Sequence, residues 1–252
     1  MIATQAPWPT YRIPNTFVPQ PSVHIWELPL ANEAPSNPID FVMSSVIERQ
    51  KEVTAVGGKR ALTLAKGPRY PNIMALLLPQ EPTQIHPVSG ILSDMLRRLT
   101  YRTFVDKVAA LLVIYPIFQW QIARDYESYV NLQEYAKPTL LQRSIPHPMW
   151  VCAVGWPLLR DFMIMNQELY CNEEFQYMMV HSLNCNWPYG TEAAMKRTRE
   201  GFTITKDFWD HIRIMDNWTL EEPFQSRYPE LEPYCKFSKS TNNGVARNVG
   251  PV

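Results

Sequence analysis

The sequence predicts a predominantly helical α+β fold in a single domain, with a small sheet whose continuous apolar runs allow parallel pairing. Several segments repeat apolar residues with the 3.6-residue period of a helix, and apolar runs of strand length are few and short. No linker-like change of composition divides the chain, and 252 residues suffice for one large core. The alternative is an α/β three-layer fold wound around a parallel sheet.

The globular domain is predicted to span residues 23–237. Residues 1–22 carry five prolines and no periodicity, so we expect a proline-rich arm there. Residues 238–252 are polar and are expected to form a flexible tail.

Helices are predicted from apolar stripes together with capping residues at their ends. They run from Asn37 to Gly57-Gly58, from Val88 to Leu99, from Thr103 to about Tyr126 with a kink near Pro116, from Pro157 to Met163, from Asn172 to Leu183 and from Thr205 to Met215.

Strands are predicted from short apolar runs at residues 23–28, 61–65, 74–78, 150–154 and 202–205. The second and third runs are continuous, which suits parallel strands buried on both faces.

Composition and motifs exclude several classes of function. Lys plus Arg and Asp plus Glu balance at 24 each, so the whole chain exerts no electrostatic pull toward nucleic acid. The four cysteines form no CxxC pair, and no two histidines stand four apart, so no metal site is expected. Nucleotide and hydrolase motifs such as GxGxxG and GxSxG are absent from the sequence, and no cofactor is predicted.

Membrane association is not predicted either. The most apolar run, residues 108–118, is too short to span a bilayer and indicates a core helix. The first residues lack the charged and apolar regions of a signal peptide, so we expect a soluble, cytoplasmic protein.

The most unusual stretch is RSIPHPMWVCAVGWPLLRDF, residues 143–162. His147 lies between two prolines that hold the backbone extended, which suits either a general base or a structural cap. Ser144 is a possible nucleophile, provided that the chain turns at Pro146. Arg160 and Asp161 form either a structural ion pair or a cleft in which the carboxylate holds a cationic ligand.

The order of rare residues in KPTLLQRSIPHPMW, GWPLLRDF and FWDHIRIMDNW resembles a fungal domain of unknown function, over about residues 85–232. That domain is best known as the C-terminal region of basic leucine-zipper-like transcription factors. Its motifs fall here on Pro138, Thr139, Gln142, Pro146, His147, Trp150, Pro157, Arg160, Asp161, Asn217 and Trp218.

The first 85 residues contain neither a basic region nor leucine heptads. A free-standing domain of this kind is similar to the fungal arginine-containing cyclodipeptide synthases. That resemblance implies an aminoacyltransferase that joins arginine, from arginyl-tRNA, to an amino acid from a second aminoacyl-tRNA. The alternative is a regulatory or protein-interaction domain that lacks the zipper.

The synthase resemblance implies roles for individual residues. The catalytic residues would be Ser144 as acyl acceptor, His147 as base, and Asp161. The substrate-binding residues would be Trp150, Trp156, Arg160, Glu168 and Asn217. The tRNA-binding residues would be Lys59, Arg60, Lys66, Arg97 and Arg98, which belong to local basic clusters.

Overall fold

The computed structural model describes residues 23–81, 83–199 and 201–238. The predicted N-terminal arm and all but the first residue of the predicted tail lie outside the described residues. Within them the chain is mainly helical with little strand, which confirms the predicted α+β class.

Twelve α-helices and four short strands occupy the described part of the chain. The helices are α1 (Pro38–Lys66), α2 (Met74–Leu77), α3 (Pro87–Arg98), α4 (Phe104–Ala123), α5 (Tyr126–Asn131), α6 (Leu140–Ser144), α7 (Pro157–Met165), α8 (Gln167–Tyr170), α9 (Glu173–Ser182), α10 (Thr191–Ala194), α11 (Lys206–Ile212) and α12 (Phe224–Arg227). The strands are β1 (Leu183–Asn184), β2 (Met195–Thr198), β3 (Gly201–Ile204) and β4 (Thr219–Leu220). Single 3-10 turns lie at Glu134–Ala136, Met149–Ala153, Met215–Asn217 and Pro229–Leu231.

The predicted helix caps at four starts are confirmed. The side chains of Asn37, Thr103, Asn172 and Thr205 accept hydrogen bonds from backbone N–H groups three residues on, at 3.0, 3.1, 2.9 and 3.3 Å. Each bond satisfies a donor that the first helical turn would otherwise leave without a partner. Local sequence therefore sets where these helices begin.

Helix α4 is the centre of the core, with α1 and α3 packed against it. It is long and apolar enough to cross a membrane by length and composition, yet 83% of that window is buried by the fold, as in a core helix. Helix α4 continues through Pro116 to Ala123, and the kink near that residue stays a prediction. Pro116 has no N–H for the carbonyl of Leu112, and the Nε2 of Gln133 donates to that oxygen instead, at 3.4 Å.

Helix α1 differs from the sequence prediction at its second half. The first helical segment ends at the glycine doublet as predicted, because Gly58 is non-helical (φ 60°, ψ −153°), but a second helical segment follows it directly and runs to Lys66. The predicted strand 61–65 is therefore wrong. The end comes at Gly67, whose φ of 77° favours glycine and whose added Cβ would lie 2.5 Å from the His86 ring.

The described strands form two antiparallel pairs, so the expectation of parallel pairing is wrong. Strand β1 pairs with β4, with Leu183 opposite Leu220, and β2 pairs with β3, with Met195 opposite Ile204. Of the predicted strands only the run at 202–205 matches one, β3. The run at 74–78 contains α2, 150–154 forms a 3-10 turn, and 23–28 contains a turn. Short apolar runs do not distinguish a strand from a buried helical turn.

Replacing Gln133 with Met is expected to lower the free energy of unfolding by about 1–3 kcal/mol, because the Leu112 carbonyl then loses its donor. In a Pro116→Ala background the cost should shrink, since residue 116 then supplies an N–H to the same oxygen. Denaturant unfolding of the two single variants and the double variant measures this coupling. Equal costs in both backgrounds would contradict the account.

Candidate functional site

The Arg160 guanidinium is completely buried, although its group carries a charge. Its Nη1 donates to the carbonyls of Tyr135 and Val154 at 2.9 and 2.7 Å, and its Nη2 donates to that of Lys137 at 2.9 Å. Burial lowers the pKa of Arg160 to about 10, so the group remains a cation at neutral pH. Within the described residues it forms no ion pair, including with Asp161. The predicted Arg160–Asp161 ion pair is therefore not formed.

Asp161 joins helix α7 to helix α6. Its carboxylate accepts a hydrogen bond from the hydroxyl of Thr139, the N-cap of α6. Thr139 and Gln142 form a reciprocal capping box at the same helix start. Burial raises the pKa of Asp161, with the Thr139 bond and the Arg160 charge acting against the rise.

His147 is fully buried and belongs to a backbone bridge with Asn32. Its Nδ1 lies 2.8 Å from the carbonyl of Ile145, so this nitrogen carries the proton. Its Nε2 lies 3.9 Å from the Sγ of Cys152, a thiol whose pKa burial raises to about 12. Burial also lowers the pKa of His147. The segment formed by His147 and the two prolines beside it thus holds this imidazole inside the fold.

Ser144 and His147 do not meet. Ser144 ends α6, and its hydroxyl donates to the Leu140 carbonyl at 2.8 Å. Ser144, His147 and Asp161 line none of four cavities in the described part of the fold, three of which are described in the next paragraphs. Their catalytic roles stay predictions that no contact in the described structure supports.

The other predicted substrate residues are spread over the molecule. Glu168 is exposed in α8 and lines a small surface pocket with residues 164–169. Asn217 lies on a 3-10 turn, where its Nδ2 donates to the His211 carbonyl at 2.8 Å. Of the predicted substrate set, Trp150 and Trp156 line a mainly apolar cavity inside the described part of the fold.

That apolar cavity holds about 80 Å³. Its wall combines α1, α3, α4 and α9 with the 3-10 turn at 149–153 and the residues that follow it. Aromatic, methionine and aliphatic side chains predominate. They are Ile39, Met43, Met95, Leu96, Leu99, Tyr101, Ala110, Val113, Ile114, Tyr135, Trp150, Ala153, Val154, Gly155, Trp156, Gln176, Met179, Val180, Leu183, Met215 and Trp218.

One polar side chain of that wall is Gln176, which the sequence analysis did not select. It is 8% exposed and has no side-chain hydrogen bond within the described residues. The sequence does carry a signal: Gln176, Met179, Val180 and Leu183 stand at i, i+3, i+4 and i+7, and all four line the cavity. A glutamine within an apolar stripe therefore marks the site.

A second, polar cavity lies between the end of α1 and helix α11, with a volume of about 300 Å³. The guanidinium of Arg69 lies 5.4 Å from the ring centre of Tyr70, and that of Arg213 lies 5.5 Å from that of Trp209. The two rings meet edge to face. Glu127 and Lys66 lie on the same wall.

The predicted tRNA-binding residues differ in whether their side chains already form ion pairs within the protein. Lys66 pairs with Asp125 and Glu127 at 3.1 and 3.3 Å. Arg97 pairs with Asp94 and donates to a backbone carbonyl of α2. The remaining candidates are Arg60 and Arg98, which are exposed and have no ion pair within the described residues, and Lys59, whose side chain lies outside the described part.

No cluster of three or more His, Cys, Asp or Glu side chains able to hold a metal occurs in the described part of the chain. The four cysteines are free, and burial raises the pKa of each thiol above its ordinary value.

Comparison with known proteins gives one match. Residues 115–239 match the family model of a domain of unknown function, DUF3425. No curated protein and no solved structure matches the chain significantly. The match covers the motif segment from Pro138 to Trp218 and agrees with the resemblance to the fungal transcription-factor domain. The family match does not support the more specific resemblance to the cyclodipeptide synthases.

Replacing Arg160 with Met is expected to destabilise the fold by about 3 kcal/mol or more, because three buried carbonyls lose their donors. Arg160→Lys should recover only part of that loss, because an ammonium group donates hydrogen bonds but cannot match the planar geometry of the guanidinium group. Asp161→Asn, which keeps an acceptor for Thr139, should cost less than about 1 kcal/mol. Chemical denaturation measures all three. Equal losses for Arg160→Met and Asp161→Asn would instead indicate an ion pair.

Acidification below about pH 6.5 is expected to reduce stability through His147. Burial lowers its pKa in the folded state, so the unfolded state binds more protons between that lowered value and 6.5. His86 acts in the same direction. In His147→Gln the dependence of the unfolding free energy on pH should become shallower, by up to about 1.4 kcal/mol per pH unit. If the slope of the unfolding free energy against pH were unchanged, the native imidazole of His147 would be exposed to water, contrary to this account.

Proposed function

We propose that this chain is a non-catalytic regulatory or protein-interaction domain, related to the C-terminal domains of fungal bZIP-type transcription factors. The DUF3425 match over residues 115–239 carries the proposal, because that domain is associated with such factors.

The use of the family motif in this chain supports the proposal. Arg160 donates to three backbone carbonyls, Asp161 accepts from a helix cap, and His147 points its protonated nitrogen at a carbonyl. A general base needs access to a substrate proton, and a serine nucleophile needs an adjacent base. These contacts instead suit side chains that stabilise a domain, whose function then lies in binding.

The second candidate is the tRNA-dependent cyclodipeptide synthase predicted from the sequence resemblance. One observation favours it: the polar cavity combines the Glu127 carboxylate, the Tyr70 and Trp209 rings, and the cations Arg69 and Arg213. A carboxylate beside aromatic rings suits a guanidinium, and cations suit phosphate. Under this candidate the partners are arginyl-tRNA and a second aminoacyl-tRNA, and the location is the cytoplasm.

A reporter experiment tests the first proposal. The chain is fused to a heterologous bZIP DNA-binding region in a fungal host, and transcription is compared with that from the bZIP region alone. We expect a change of at least severalfold, retained by Ser144→Ala and reduced in the destabilised Arg160→Met variant. No change in transcription would contradict the regulatory role.

The synthase candidate is tested in the same strains by mass spectrometry for cyclo(Arg-Xaa). The regulatory proposal predicts no such product. A product that disappears in Glu127→Gln, in which the cavity loses its carboxylate, would support the synthase and overturn the claim that the domain is non-catalytic. Gln80→Leu, at a half-buried position that does not line this cavity, serves as the control.

A further inference from the structure

We propose that the apolar cavity beside α9 is a binding site for a small, neutral, mainly apolar molecule that offers one hydrogen-bonding group to Gln176. Such a molecule would be the signal to which a regulatory domain responds, and that meaning rests on the proposed function. Binding itself is measured independently of it.

The size and lining of the cavity exclude a site for water alone. A buried water needs roughly 10–15 Å³ and two to four polar partners. This cavity offers about 80 Å³, several times that space, with walls that are almost entirely apolar. A void of this kind forfeits packing contacts that a hydrocarbon-like occupant would restore. The three tryptophans and four methionines of the wall provide broad, adaptable contact surface.

Gln176 identifies the polar part of the ligand. This glutamine is 8% exposed, its amide atoms keep access to solvent-accessible space, and they form no hydrogen bond within the described residues, so the amide is free to bond a ligand. Of the other polar groups of the wall, the Tyr135 hydroxyl and the Trp218 indole N–H both donate to the Ile212 carbonyl, at 2.6 and 2.9 Å. The remaining ones have no hydrogen bond within the described residues and are further donors for the same ligand group; they are the Tyr101 hydroxyl and the indole N–H groups of Trp150 and Trp156. A primary amide both donates and accepts. It therefore suits a hydroxyl or a carbonyl on the ligand.

The absence of charge in the wall decides the ligand class. No Asp, Glu, Lys, Arg or His side chain lines this cavity. An ion would enter without a counter-charge, which burial disfavours strongly. Arginine, the substrate predicted from the sequence, is therefore excluded from this cavity, and a neutral molecule is favoured.

Isothermal titration calorimetry of the full chain with p-cresol and with toluene tests the proposal. We expect both probes to bind, p-cresol about fivefold more tightly, because its hydroxyl gains one hydrogen bond. Gln176→Leu should weaken p-cresol about fivefold and leave toluene unchanged. Gln80→Leu, at a half-buried glutamine outside this cavity, should alter neither affinity.

A cavity-filling variant locates the site. Ala110→Leu adds three carbons to the wall and should abolish binding of both probes, while the midpoint of thermal unfolding stays equal or rises. Failure of the wild-type chain to bind either probe, or full binding by a folded Ala110→Leu chain, would overturn the site. Unchanged p-cresol affinity in Gln176→Leu would overturn the role of the amide. Detection of a cyclic dipeptide would overturn the proposed function without bearing on these affinities.

Discussion

The buried guanidinium of Arg160, which has no ion-pair partner within the described residues, is the constraint on which the second half of this fold depends. Moving a guanidinium out of water is costly unless its donors are satisfied. Arg160 meets that condition in part: its two Nη atoms donate to three carbonyls, contributed by the 3-10 turn at 134–136, the residue after it and the residue after the turn at 149–153, whereas its Nε has no partner within the described residues. Helix α7, which carries Arg160, is thereby joined to two 3-10 turns, each held internally by short-range backbone hydrogen bonds. The side chain adds hydrogen bonds that connect these turns to the helix.

The same constraint shapes the apolar cavity. Tyr135 and Val154 give their carbonyls to Arg160 and their side chains to the cavity wall, while Trp156 is both the N-cap of α7 and a wall residue. The motif residue Arg160 thus positions one side of this cavity through its backbone contacts, and the rest of the wall comes from α1, α3, α4 and α9. A scaffold held by Arg160, with a cavity wall formed by other side chains, is compatible with a binding domain.

The sequence predicts the helices well and the site poorly, for different physical reasons. Caps such as Asn37 and Thr103 act within one helical turn, so local sequence reveals them. The runs at 61–65 and 74–78 are too short for their period to separate strand from helix. The sequence leaves open whether Arg160 pairs with its neighbour Asp161, and its partners in the structure lie up to 25 residues upstream in backbone groups that no side-chain pattern encodes. Gln176 was detectable as a polar interruption of an apolar stripe.

The central claim is that Arg160 is a structural cation fixed by backbone carbonyls. Nuclear magnetic resonance of its guanidinium hydrogens tests this claim most directly, with Arg160→Lys to assign the signals. We predict separately resolved Nη–H resonances that exchange slowly with water, as expected for buried donors held by three carbonyls. Averaged, rapidly exchanging resonances like those of an exposed arginine would contradict the account, because the group would then be free to meet a substrate.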